Sequence, residues 1–276
     1  MKIKHVVLIA TAMGLAFAAA RAADLPKSIS ARGTLIAAIV PNYPPMELRD
    51  PATNRLTGFD VELGEAMAKK LGLKMEWQET SFAQMLNSVK TGRVDIILSG
   101  MSDLASRHET ADFVDYLQSG AQFFTQATRA KEFPTRESLC GRSVGASRRT
   151  SLPGHIKDFS DAFCVGKGRP AINVVGTEGS ADARTQLRQS RIDAAMQGGE
   201  TLPYIMSQDP GVYALIGEPV FYSPMGIAVA KDNPKLRDAL VGALKAVMAD
   251  GTYAKLLKTW SLEASGLKEV TVNAGH

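Results

Sequence analysis

The residues with the clearest chemical potential are Ser99, Gly100, Ser102 and Arg107, within the stretch VDIILSGMSDLASRHETADF from Val94 to Phe113. Two hydroxyls, a glycine that lets a partner approach the backbone, and a guanidinium with a planar fork of donors together suit a carboxylate. The competing reading is a polar turn with Arg107 in an ordinary surface ion pair. The set follows an apolar run, Val94 to Leu98, bounded by Gly92 and Gly100. Such a run is short for a helix and reads as a strand buried on both faces, as in a parallel sheet. In open α/β sheets ligands bind just beyond the carboxyl ends of strands, which is where these four residues would stand.

The elements that must hold them precede and follow in regular alternation. Gly33 to Val40 predicts a first strand, halted by Pro41, Pro44 and Pro45. Tyr43 then lies on a loop at that strand's end, either facing a ligand or packed. Asp50 to Thr57 carries turn residues and reads as a connection. From Gly58, apolar residues at Val61, Leu63, Met67, Ala68 and Leu71 predict a helix ended near Gly72. Leu73 to Trp77 predicts a strand, and Thr80 to Lys90 a second amphipathic helix with Phe82, Met85, Leu86 and Val89 on one side. Strands alternating with helices of this length imply βαβ units and an α/β fold with a mostly parallel sheet.

Residues 1–22 read as a secretory signal peptide: Lys2 and Lys4, an apolar run from Val6 to Ala20, then Ala20-Arg21-Ala22. Losing Lys2, Lys4 and Arg21 takes the 32 basic residues to 29 against 28 acidic ones. That balance gives no basis for binding nucleic acid or a membrane surface. About 254 remaining residues exceed the usual size of one domain, so two lobes are expected. Cys140 and Cys164 are the two cysteines, and an exported chain favours pairing them over two buried thiols or a metal site. No H-E-x-x-H, G-x-S-x-G, P-loop or G-x-G-x-x-G after a strand occurs, so neither an enzyme nor a metal or other cofactor is expected.

Taken together, the blocks GFDVELGEAMAKKL, GRVDIILSGM with Arg107, DFVDYLQSG, GRSVGASRRTS, RIDAAMQGGE, GEPVFYSPMGIAVAKDNP and ADGTYAKLLKTW resemble, in order, the periplasmic solute-binding proteins of polar-amino-acid ABC importers, extracellular solute-binding family 3. The likeness spans essentially the whole chain after the leader. It implies the two-lobed, type II periplasmic-binding-protein fold, its lobes joined by two crossing strands near Gln118–Ala121 and Phe221–Met225. Lobe I would comprise residues 23–118 and 222–276, and lobe II residues 119–221. The implied partners are a small carboxylate ligand and an inner-membrane ABC permease, with the protein a periplasmic monomer.

The resemblance also assigns roles. Arg107 matches the residue that pairs with a ligand carboxylate, Ser102 the hydroxyl beside it, and Ser99 and Gly100 the strand-end positions. Thr150 and Ser151 match the hydroxyls that close over the ligand, Phe82 an apolar wall, and Tyr43 the aromatic that covers it. One position departs. The family's acid for a ligand ammonium, just after the RIDAA strand, is Gly198 here, and the acid some members carry after the first strand is Val40. A buried ammonium without a carboxylate partner is costly. Glu200 and Asp103 are the nearest acids that could serve; otherwise the ligand is an organic acid without an amine. Arg148 and Arg149 either meet a second anionic group or face solvent. Cyclohexadienyl dehydratases resemble this family too, which leaves an enzyme alternative with Glu200 as the general acid.

Overall fold

The structure, a computed structural model, describes residues 25–275; the expected leader lies outside the described residues. After a short helix α1 (Lys27–Arg32), strand β1 (Thr34–Ile39) enters the core. The chain then detours through β2 (Asn42–Tyr43), β3 (Glu47–Arg49) and β4 (Leu56–Thr57), a separate three-stranded antiparallel sheet. The 50–57 segment, expected as a plain connection, therefore supplies a short strand. Gly58 has φ +127°, and a β-carbon there would stand 2.4 Å from the Met46 carbonyl oxygen. Only glycine lets helix α2 (Phe59–Lys70) start so close to that small sheet.

Strand β5 (Lys74–Glu79), helix α3 (Met85–Lys90) and strand β6 (Ile96–Ile97) complete the first pair of βαβ units. β1 lies between β5 and β6 and runs parallel to both. The helix expected from Thr80 starts late, because Phe82–Gln84 form a 3-10 turn closed by the Gln84 amide on the Ser81 carbonyl at 2.9 Å. The regular ladder of β6 covers two residues, yet Val94, Ile96, Ile97 and Leu98 are all buried, as a strand covered on both faces requires.

β7 (Ala111–Gln126) runs for 16 residues out of the first half and into the second. Gln122–Gln126 form its far end. The second half follows as β8 (Ser143–Ser147), α4 (Leu152–Phe163), β9 (Asn173–Thr177), α5 (Ser180–Arg188), β10 (Ala194–Gly198) and α6 (Leu202–Gln208). β11 (Tyr213–Ala230) returns antiparallel to β7, with Ser223 opposite Ser119 and Phe221 opposite Ala121. Its register slips between Ile216 and Phe221, where Pro219 cannot donate to the ladder. α7 (Pro234–Ala249) and α8 (Thr252–Thr259) then fold back onto the first half.

One eight-stranded sheet results, in the order β5-β1-β6-β11-β7-β10-β8-β9, parallel at both ends and antiparallel where β7 and β11 join the halves. Each half has its own core. Phe59, Leu63, Ile227 and Leu240 belong to the first, and Phe123, Leu139, Ile156 and Met196 to the second. Cys140 and Cys164 are joined in a disulfide that ties the approach to β8 to the end of α4.

Candidate functional site

A cavity of about 280 Å³ opens where the carboxyl ends of β1, β6, β8 and β9 face one another across β7 and β11. It receives every ligand residue expected from the sequence except Glu200. Arg107 ends the short turn Ala105–Arg107, half-buried, with its guanidinium beside the Phe82 ring, 5.9 Å from the centroid. One of its nitrogens, Nη1, donates to the Ser102 carbonyl at 2.5 Å, which fixes the fork relative to the Ser102 hydroxyl. Among the described residues no carboxylate pairs with it. Loss of solvent pulls its pKa down to about 10, against the opposing charge of Asp103. A desolvated cation with no carboxylate in contact attracts an anion.

Ser99 and Gly100 stand at the expected strand end but face backward. The Ser99 hydroxyl donates to Glu47 at 2.7 Å and accepts the Val40 amide at 3.1 Å, and the Gly100 amide donates to Asp60 at 2.8 Å. The Tyr116 hydroxyl also donates to Asp60, at 3.0 Å. These bonds anchor the strand end to a buried acid pair, while Ser99 and Gly100 also line the cavity. The remaining oxygens of that pair, Glu47 Oε2 and Asp60 Oδ1, have no hydrogen-bond donor. Burial pushes both pKa values up, Asp60 to about 7; the Asp60 charge raises Glu47 further, whereas a hydrogen bond with Glu47 pulls Asp60 back down. Glu47 was not singled out in the sequence. Its signal is slight: an acid between two apolar residues, Met46 and Leu48, just after the double proline.

Tyr43 and Glu200 form the seam between the halves. The Tyr43 hydroxyl donates to Glu200 Oε1 at 2.8 Å, and the Ser119 hydroxyl to Oε2 at 2.6 Å. A β-carbon at Gly198 would stand 2.1 Å from Glu200 Oε1 and 2.2 Å from the Tyr43 hydroxyl. The Glu200 carboxylate thus fills the space into which a side chain at position 198 would grow. Burial raises its pKa, opposed by the two hydroxyls. It is spent on neutral donors and does not line the cavity, whereas Tyr43, Ser119 and Gly198 do. Asp103 lies elsewhere: fully buried, it accepts from His108 and from the Gly275 amide at 2.7 Å.

From the second half, Thr150 is engaged locally, donating to the Ser147 carbonyl at 2.8 Å and accepting the Leu152 amide at 3.2 Å. Ser151 caps no amide through its side chain and lies at the N-terminus of the 12-residue α4, whose dipole end faces the cavity. Arg148 and Arg149 part company. Arg148 pairs with Glu178 at 3.0 Å and donates to the Gly176 carbonyl, while Arg149 lines the cavity. No group of three or more metal-ligating side chains occurs among the described residues. His155 stacks on Phe221, 4.0 Å between centroids.

A two-lobed α/β body with an anion-seeking cleft between its lobes is the architecture of a solute-binding protein. Residues 35–263 match the bacterial extracellular solute-binding proteins, family 3, and the chain belongs to that family. It is 29% identical to the arginine-binding protein ArgT of Corynebacterium glutamicum, over 91% of this chain and 82% of that one. The histidine-binding periplasmic protein of Salmonella typhimurium is 28% identical over 80% of this chain and 84% of its own. Among solved structures, an ancestral arginine-binding protein bound to arginine superposes with a TM-score of 0.74 at 27% identity, covering 83% of this chain and 98% of that chain. AncCDT-1, an ancestral amino-acid-binding protein and precursor of cyclohexadienyl dehydratase, gives 0.76 at 26%, covering 84% and 97%.

Proposed function

We propose that the protein is the periplasmic substrate-binding component of an ABC importer, capturing a small carboxylate-bearing solute, an amino acid or related organic acid. The observation that carries this is Arg107: a desolvated guanidinium with no acid partner among the described residues, opening on a cavity shared by both halves. Lobe I, residues 23–118 and 222–276, presents Arg107 and Ser102 first. Lobe II, residues 119–221, then closes to bring Thr150 and Ser151 and the start of α4 over the ligand. Closure is selected because only the shut form satisfies both sets of donors. The closed surface would be what an inner-membrane permease reads.

The names of the arginine- and histidine-binding relatives support an amino acid. A second reading, an organic acid without an amine, is supported by Gly198 and by the engagement of both Glu200 oxygens. The enzyme alternative fares worse: for Glu200 to deliver a proton, it would have to give up its bonds from Tyr43 and Ser119 and reach a substrate past Gly198. Calorimetry against amino acids and matched amine-free acids tests the proposal. Saturable binding of a carboxylate that Arg107→Ala abolishes supports it. Conversion of prephenate or arogenate to an aromatic product would overturn it in favour of catalysis.

A further inference from the structure

We propose that the captured solute carries two anionic groups, the second held in a subsite formed by Arg149, Ser180 and the first turn of α5. The chemical class is a small dicarboxylate. The inference rests on the capture reading of Arg107 and adds the other end of the molecule.

The placement follows from topology. β8 and β9 are parallel neighbours, and Ser147 pairs with Thr177 at their last register position. The loops leaving those two residues are therefore adjacent, one carrying Arg149 and the other leading into α5. Both meet the cavity, through Arg149, Gly179 and Ser180. α5 is nine residues long, and the amides of Gly179 and Ser180 have no acceptor among the described residues. Ser180 is only 8% exposed, lines the cavity and makes no side-chain hydrogen bond among the described residues. A hydroxyl on a largely buried residue that makes no hydrogen bond within the protein and meets the cavity beside a helix N-terminus points to an acceptor supplied by the ligand. Asn42 comes to the same place from the first half: its Nδ2 lies 3.6 Å from where a β-carbon on Gly179 would stand.

The charges near this end agree. Arg149 makes no ion pair among the described residues. The acids that could neutralise it are engaged: Glu178 with Arg148, and Asp182 with the Glu178 amide at 3.0 Å and Gln186 at 3.1 Å. Glu47, also on the cavity wall, is bound to Ser99 and faces Asp60. The lining thus leaves two guanidinium groups without an ion pair among the described residues, the part-buried Arg107 from one half and the exposed Arg149 from the other. A monoanion satisfies one of them; a dicarboxylate bridging the halves satisfies both and rewards closure.

The test is isothermal calorimetry on the full chain with four-to-six-carbon dicarboxylates, the monocarboxylates that lack one acid group, and aspartate, glutamate, arginine and histidine. The panel is run on wild type, Arg149→Gln, Ser180→Ala and Arg107→Ala, with unliganded melting as the folding control. A dicarboxylate, with or without an amine, should bind more tightly than its monocarboxylate partner. Arg149→Gln should weaken the dicarboxylate roughly ten- to a hundredfold while changing the monocarboxylate little. Ser180→Ala should weaken it several-fold. Tightest binding of arginine, histidine or a monocarboxylate, lost in Arg107→Ala but indifferent to Arg149→Gln, overturns the second subsite and leaves the capture reading standing. No binding of any dicarboxylate also overturns it. Binding unchanged in Arg107→Ala overturns the capture reading itself.

Discussion

The two walls of the cavity are built differently. On the first wall, the strand end that carries the site is fastened from behind by a buried acid pair, Glu47 and Asp60, which takes up the Ser99 hydroxyl and the Gly100 amide. On the second wall the polar groups stand on two helix N-termini, above a core tied by the Cys140–Cys164 disulfide. The first wall is fastened by acids whose hydrogen bonds are made within the protein. The second offers amides, hydroxyls and Arg149 that wait for a ligand. A preformed anchor facing a wall of open donors is the arrangement expected where one lobe binds first and the other closes.

Breaking the anchor's support should have the largest effect. Asp60→Ala leaves the Gly100 amide and the Tyr116 hydroxyl buried without an acceptor, and should lower unfolding free energy by about 3 kcal/mol or more in urea melts. Removing the disulfide as Cys140→Ala/Cys164→Ala should cost roughly 3 kcal/mol, since it frees a loop spanning 24 residues in sequence. Ligand affinity, measured well below the melting point, should hardly change, because neither cysteine lines the cavity. Equal loss of affinity in the two variants would erase the distinction between the walls. Tyr43→Phe, which cuts a bond across the seam and strips one donor from Glu200, should cost about 1–3 kcal/mol and weaken binding.

The smallest effect is one of pH and separates the acid pair from its surroundings. Asp60 has its folded pKa raised from the ordinary carboxylate range to about 7 by burial. The native state therefore binds a proton that the unfolded chain has released, and stability from this group is present at low pH and lost as pH rises toward 7. Asp60→Asn removes that dependence. The stability gap between wild type and Asp60→Asn should shrink as pH climbs from about 4 to 7. A gap that stays flat would mean that no proton is shared behind the first wall.

Much of the framework was legible in the sequence because it rests on periodicity. The buried strand before Ser99, the helix after Gly58 and the alternation of strand and helix are local signals, and each is present in the fold. Arg107, Ser102 and Ser151 were legible as groups with donors to offer. The direction of a donor was not. Ser99 and Gly100 have the right chemistry at the right place, yet both point at acids distant in sequence, which no local pattern encodes. The sequence offers Glu200 and Asp103 as acids that could hold a ligand ammonium, with an amine-free ligand as the alternative; it does not show that a glycine two residues earlier and a tyrosine more than 150 residues away place the Glu200 carboxylate in the seam. α4 was invisible for another reason: Pro153 and Gly154 near its start are breaker residues, tolerated because the first turn has no intrahelical amide bond to lose.

The most direct test of the central claim is a paired measurement on Arg107→Ala: calorimetric titration with the carboxylate panel, and melting without ligand. If an unpaired, desolvated guanidinium is the anchor, binding falls by two to five kcal/mol, about thirty- to several-thousandfold. The unliganded melting temperature then stays level or rises, because a cation whose burial had no compensation is gone. Undiminished binding, or a lower unliganded melting temperature with binding intact, would mean that Arg107 serves the fold and not the ligand.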